Sequence, residues 1–310
     1  MNIKIIQHIM PWELDHSMLS FIQLKKSKYN ISNNCNIVVD TVLNLSEYII
    51  DWEKSKLPKQ FFIDKYNQIS NLLVDFKHEK RIYEGKELYG HLNFQKESID
   101  KQTDYYISTC PDMYFSEYTI PYLIESAKQV KNKYFVITPE ISKLWDWTWD
   151  EITAEEYKNI PYSDWDKVDI FDIIENGKIL NKEVGLRTVQ KSKWAGWCDL
   201  YNKAFYEELC PLQEDWAGYG PWDFYSMIIS DYAKKNGVDF EQYVLYGQTI
   251  FEYSVGSLKS NYVNGFSKYY KDFLYLKDIP NQRNQFESKM SVYVNRNIQE
   301  LINKKILQSI

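Results

Sequence analysis

The 310-residue sequence predicts an α/β protein: a mixed, mostly parallel sheet flanked by helices, with a helical C-terminal extension. Three observations carry this. Short apolar runs such as Ile3–Ile9 and Ile37–Val39 alternate with stretches of helical period, the pattern of strands joined by crossover helices. Hydrophobic residues make up 44% and charged residues 26%, the balance of a folded domain rather than a disordered chain. The length allows one large domain with a substantial core.

Taken in order, the first strand runs into Met10-Pro11-Trp12, where proline removes a ladder donor and ends it. A helix is predicted over 16–28, then a second strand from Asn36 that closes on Asp40. Residues 45–80 read as mixed, polar and mainly helical, and a weak third strand is expected around the tyrosines of 81–90. Asp104–Thr109 reads as a strand entering Cys110-Pro111-Asp112, followed by a helix over about 117–131. Tyr134–Ile137 is the next strand and feeds Thr138-Pro139-Glu140 and the aromatic Trp145–Asp150 loop. Residues 151–185 look like an insertion rich in Asp and Tyr. From Leu258 onward nine Lys/Arg face four Asp/Glu, and 284–310 is predicted helical. The plain reading of this basic tail is a packed helix with a solvated face; weak contact with a membrane surface is the alternative.

Composition excludes several classes. A formal net charge of −6 argues against a broad nucleic-acid surface. Four cysteines (Cys35, Cys110, Cys198, Cys210) show no CxxC spacing, so neither a zinc ribbon nor a disulfide framework is indicated, and a reducing, cytoplasmic setting is expected. No run approaches the ~20 apolar residues of a membrane span, and the N-terminus does not read as a signal peptide. Seven of the ten Trp cluster at 145–149, 194–197 and 216–222, within an aromatic content of 16%.

The stretch 194–237 looks most like a site. Trp194-Ala195-Gly196-Trp197 forms a turn, and Tyr201, Phe205 and Leu209 fall at helical spacing. A glycine-rich loop with Trp216, Tyr219 and Trp222 then delivers Asp223 to the start of a helix that ends near Gly237. Helix N-termini stabilise carboxylates, so Asp223 is expected to be ionised. The same position equally suits a plain helix cap. Asp112 suits a cap for the helix that follows it, and Asp40 an ordinary strand-end acid. The Trp145–Asp150 loop is either a buried aromatic cluster or an acceptor platform.

The order of these pieces resembles the GT-A type glycosyltransferases, in layout the inverting family 2 enzymes and, in the acceptor loop, the beta-1,4-galactosyltransferases. Met10-Pro11-Trp12 matches the proline-aromatic turn after the first strand, and Asp40 the acid that contacts the nucleobase. Asp112 matches the second acid of the Asp-x-Asp motif, and Gly218-Tyr219-Gly220-Pro221-Trp222-Asp223 is similar to the acceptor loop. The chain departs from the pattern at Cys110 and at Trp222, which stand where acids are usual.

The resemblance implies a Rossmann-like GT-A domain over 1–257, with a nucleotide-sugar half over about 1–140, an acceptor half over 141–257 and an extension over 258–310. It implies transfer of a sugar from a UDP-type nucleotide-sugar donor to a glycan or lipid-linked acceptor, with inversion and Asp223 as general base. Donor contacts are expected from Pro11, Trp12, Asp40, Lys96 and Asp112, and acceptor stacking from Trp197, Trp216, Tyr219 and Trp222. Asp112 would hold Mn2+ or Mg2+ with the diphosphate, since one or two carboxylates plus phosphate oxygens suffice for such cations. A carbohydrate-binding protein on a degenerate transferase scaffold is the alternative, and a hydrolase a further one.

Overall fold

The apolar run after Met1 forms β1 (Asn2–Ile9), buried at every residue but the first, as befits a parallel strand covered on both faces. The protein is seen here as a computed structural model that describes residues 1–142, 146–160, 183–213, 222–252, 273–278 and 282–307. A 3₁₀ turn (Pro11–Glu13) leads into α1 (Leu14–Ser27), then β2 (Asn36–Asn44), α2 (Lys59–Ser70) and β3 (Lys77–Tyr83). Next come α3 (His91–Ser98), β4 (Tyr105–Thr109), β5 (Met113–Tyr114), α4 (Thr119–Ala127) and β6 (Tyr134–Ile141). The second half holds β7 (Gly185–Thr188), β8 (Cys198–Asn202), a π-helical turn (Phe205–Leu209), α5 (Trp222–Lys235), β9 (Phe240–Glu252) and α6 (Gln282–Asn303).

Among the described residues the strands make one sheet, ordered β3-β2-β1-β4-β8-β6-β9-β5, with β7 also on β9. β1 pairs in parallel with β2 and β4, β2 with β3, and β6 with β9, while β8 is antiparallel to both β4 and β6. One reversed strand therefore joins two parallel blocks that point the same way, and their carboxyl ends share one edge. The chain order turns around at β1 and β4, the position where open α/β sheets leave a crevice for ligands. This is the mixed, mostly parallel, helix-flanked arrangement the sequence predicts.

Two cores sandwich the sheet. On one face Phe21 and Leu24 of α1, Phe62 and Tyr66 of α2, and Leu123 and Ile124 of α4 pack on the strands. On the other lie Leu92 and Phe94 of α3, Trp222, Tyr225 and Ile229 of α5, and Tyr293 and Leu301 of α6. The packed-helix reading of the basic tail holds for α6. No helix among the described residues is long and apolar enough to cross a membrane.

Several boundaries differ from expectation. The second strand does not stop at Asp40 but continues through Thr41-Val42-Leu43 to Asn44, because the apolar alternation resumes past the acid. The third strand begins earlier, at Lys77, and reaches only the start of the expected stretch, ending on Tyr83. Tyr201 belongs to β8, not to a helix, since it pairs with Tyr106 of β4 and Val136 of β6.

Candidate active site

Three turns meet at the carboxyl edge. The first follows β1. Pro11 opens a short 3₁₀ turn, where its missing N–H is no loss, and Glu13 folds back so that the Met10 N–H donates to its Oε2 at 2.7 Å. Burial pushes the Glu13 carboxyl up to about 8, and the neighbouring charge of Asp112 adds to this against the Met10 hydrogen bond.

The second turn follows β4. The Cys110 N–H donates to the Trp197 carbonyl at 2.9 Å, and the Cys110 thiol donates to the Gly196 carbonyl at 3.3 Å. Burial keeps that thiol neutral, and Asp112, Asp223, Glu13 and Asp199 all reinforce the effect. One sulfur thus senses four carboxyls drawn from four separate segments. Asp112 itself is half-buried, and Glu252, at the end of β9 and 3% exposed, pairs across from Met113 beside it.

The third turn is Trp194-Ala195-Gly196-Trp197, which enters β8 from the same edge. Gly196 has φ 72°, a left-handed conformation that glycine adopts without strain. A Cβ placed there would overlap the Asp223 carboxyl, lying 2.9 Å from its Cγ. Asp223, in the first turn of α5, is therefore pressed against bare backbone. Its neighbour Asp199 is 0% exposed and accepts from the Thr138 hydroxyl, from the Gly196 N–H, and from the Tyr201 hydroxyl at 3.3 Å.

These surroundings reverse the expectation that the helix N-terminus keeps Asp223 strongly ionised. Burial, then the charge of Asp199, pushes Asp223 up to about 7. Asp199 is pushed up only to about 6, because burial is opposed by its three donors. A carboxyl that exchanges its proton near neutrality is suited to general-base work.

Other expected site residues fall elsewhere. Asp40 is mid-strand, 0% exposed, and paired with Arg81 Nη2 at 2.7 Å, so it is an internal ion pair and not a strand-end contact for a nucleobase. Lys96 sits in the last turn of α3, whose Glu97 reaches Arg81; the helix has carried it back from the edge. Pro11 and Trp12 lie at the edge, but Trp12 is 8% exposed and packed in the core. Trp197 is 7% exposed and Trp222 1%. The Trp222 ring stacks on Tyr206 at 4.9 Å and meets Tyr201 edge-on at 5.2 Å, so neither tryptophan offers a face to a sugar. Trp216 and Tyr219 lie outside the described residues, as does Trp145.

The sequence reading missed Glu13 and Asp199. Both carried a signal. Glu13 stands three residues after Met10, the spacing of a capping box, and Asp199 is a lone acid inside the strand Cys198-Asp199-Leu200-Tyr201. Burial pushes His8 down to about 3 and His91 down to about 4, so both are neutral, structural histidines.

No protein-family model matches the chain, and no curated protein matches it. Among solved structures it is similar to S. aureus TarS 1-349 in complex with UDP-GlcNAc, at 8% identity over 98% of this chain and 71% of that one, with a TM-score of 0.43. It is also similar to GalNAc-T7 with UDP, GalNAc and Mn2+, at 12% identity over 81% of this chain and 43% of that one, TM-score 0.43. A third likeness is the inositol-1-phosphate CTP transferase from T. maritima, at 10% identity over 81% of this chain and 88% of that one, TM-score 0.38. At such distances the functional reading rests on the geometry of the acids.

Proposed function

We propose that this chain is a glycosyltransferase that moves a sugar from a UDP-type nucleotide-sugar donor to a hydroxyl of a glycan or lipid-linked acceptor. Asp223 is the general base and the anomeric centre is inverted. The observation that carries the reading is the glycine at position 196: its carbonyl receives the Cys110 thiol, two residues from Asp112, while its α-carbon abuts the Asp223 carboxyl. Acids more than a hundred residues apart in sequence thus share one edge at the sheet's switch point, the place for a bound nucleotide.

Among the described residues no three His, Cys, Asp or Glu side chains form a metal site. What the edge offers is a carboxyl pair, Glu13 and Asp112, in which Glu13 is held up to about 8 by burial and by Asp112. That donor set fits Mg2+ or Mn2+, which complete their shells with phosphate and water oxygens. When bound, such a cation would offset charge on the departing nucleoside diphosphate. Asp223 accepts the proton of the attacking hydroxyl, and Gly196, having no side chain, leaves its carboxyl room to face the acceptor. A carboxyl raised to about 7 at the sheet's carboxyl edge suits proton transfer and has no part in merely holding a neutral sugar, which favours the enzyme over a degenerate binding scaffold.

A thermal-shift screen against UDP, GDP, dTDP and CMP, with and without Mn2+, tests this first. Binding to the native state raises the melting temperature by mass action, so UDP should stabilise the protein and Mn2+ should enhance the effect. Sugar transfer from the matching donor follows, assayed by release of the nucleoside diphosphate. No shift with any nucleotide would remove the transferase reading.

A further inference from the structure

The buried acid of β8 has no part in the chemistry above, yet three donors converge on it. β8 register puts Asp199 opposite Ser108 of β4, and the pairing with β6 brings it level with Thr138. The Thr138 hydroxyl donates to Oδ1, the Tyr201 hydroxyl to Oδ2 at 3.3 Å, and the Gly196 N–H to the same carboxyl. Three donors stabilise an ionised carboxylate. Asp223 lies against the other side of Gly196. Among the described residues, the remaining titratable groups that sense Asp223 are Tyr201 and Tyr206, with Cys110 on the adjoining turn; burial keeps all three neutral. None of these groups is cationic. Two carboxyls so placed do not both ionise cheaply, and the better hydrogen-bonded one, Asp199, keeps the charge.

We propose that Asp199 is a positioning residue for Asp223: anchored by Thr138, Tyr201 and the Gly196 N–H, it fixes the carboxyl of Asp223 against the 196 turn and assigns the shared proton to it. The inference builds on Asp223 as the proposed base, but it concerns the pair itself and is measurable without substrate. Asp199 touches neither donor nor acceptor in this account. It acts through Gly196 and through its charge.

The test is a carboxyl-carbon NMR titration of protein labelled in its aspartates, with the Asp223 resonance identified by its loss in Asp223→Asn. In the otherwise unaltered protein that resonance should titrate near neutrality. In Asp199→Asn its midpoint should fall by about one pH unit, the scale of a neighbouring like charge. Thr138→Val, which removes one anchor and keeps the side-chain shape, should move it the same way by less; it carries the measurement if Asp199→Asn does not fold. Folding is checked by far-ultraviolet circular dichroism. An unchanged midpoint in a folded Asp199→Asn or Thr138→Val protein overturns the proposal. A shifted midpoint in a protein that binds none of UDP, GDP, dTDP and CMP upholds the positioning role and sinks the transferase reading instead.

Discussion

Asp40 is fully buried and Asp223 half-buried in one sheet-centred molecule, and the two acids are held in opposite ways. Asp40 sits inside β2 with the Arg81 guanidinium at 2.7 Å. Burial still raises its pKa, but Ser98, Arg81 and Lys4 pull it back. Asp223 sits at the edge, and the charge that acts on it is that of another acid, so burial and Asp199 work together. An internal acid given a cation is part of the scaffold. One given a second acid weakens the fold, and such arrangements concentrate at sites that move protons.

Experiments can break or sharpen this contrast. The largest effect is expected from Asp223→Asn, which should lower sugar transfer by ~10²–10⁴-fold, the usual worth of a general base, and leave UDP affinity unaltered; equal turnover would make Asp223 a mere helix residue. Next is Trp222→Ala, expected to cost roughly 3–5 kcal/mol as a large core truncation. A melting temperature that holds while acceptor KM rises would return that ring to the cleft. Arg81→Met should destabilise by roughly 2 kcal/mol, discounted because Arg81 is partly exposed, with no change in nucleotide affinity. Weaker nucleotide binding in that variant would restore Asp40 to the donor site.

The smallest effect is a pH dependence. Folding raises Asp223 from 3.8 to about 7, so between those values the folded state keeps a proton that the unfolded chain has released. Its contribution to stability is full below about pH 4 and is lost as pH rises through 7. His8 and His91, pushed down to about 3 and about 4, work in the other direction, and only below pH 6.5. From pH 6 to 8 the melting temperature should therefore fall, and by about 2–3 °C less in Asp223→Asn than in the parent protein. Parallel curves would show that Asp223 titrates normally.

Much of the fold was legible because its signals are local. The apolar runs of β1, β4 and β6 and the periods of α1, α4 and α5 announce themselves within a few residues, and so does the turn at Cys110–Asp112. The thirteen-residue β9 was not legible: Glu241, Gln242 and Gln248 interrupt its apolar pattern and Gly247, at φ 79°, breaks it, with the register slipping near there. The tryptophans misled for a different reason. Beside glycines and a proline, Trp222 reads as a loop aromatic, but Tyr201, Phe205 and Tyr206 close over it from another segment. Burial of that kind is a property of the tertiary arrangement. The pairing of Asp199 with Asp223 is equally non-local, since only the reversed strand β8 brings them to one glycine.

The C-terminal helix has a bearing on how shortened forms would behave. Tyr293 and Leu301 of α6 pack into the aromatic group around Trp222 and α5, and the Asn297 amide donates to the Leu209 carbonyl at 3.0 Å. The element bearing the proposed base is wedged between sheet and tail like a shelf between two walls. A truncation ahead of Gln282 would spare every acid at the edge and still let that shelf sag. Inactivity of such a fragment would speak of lost bracing, with no chemical duty implied for the residues removed.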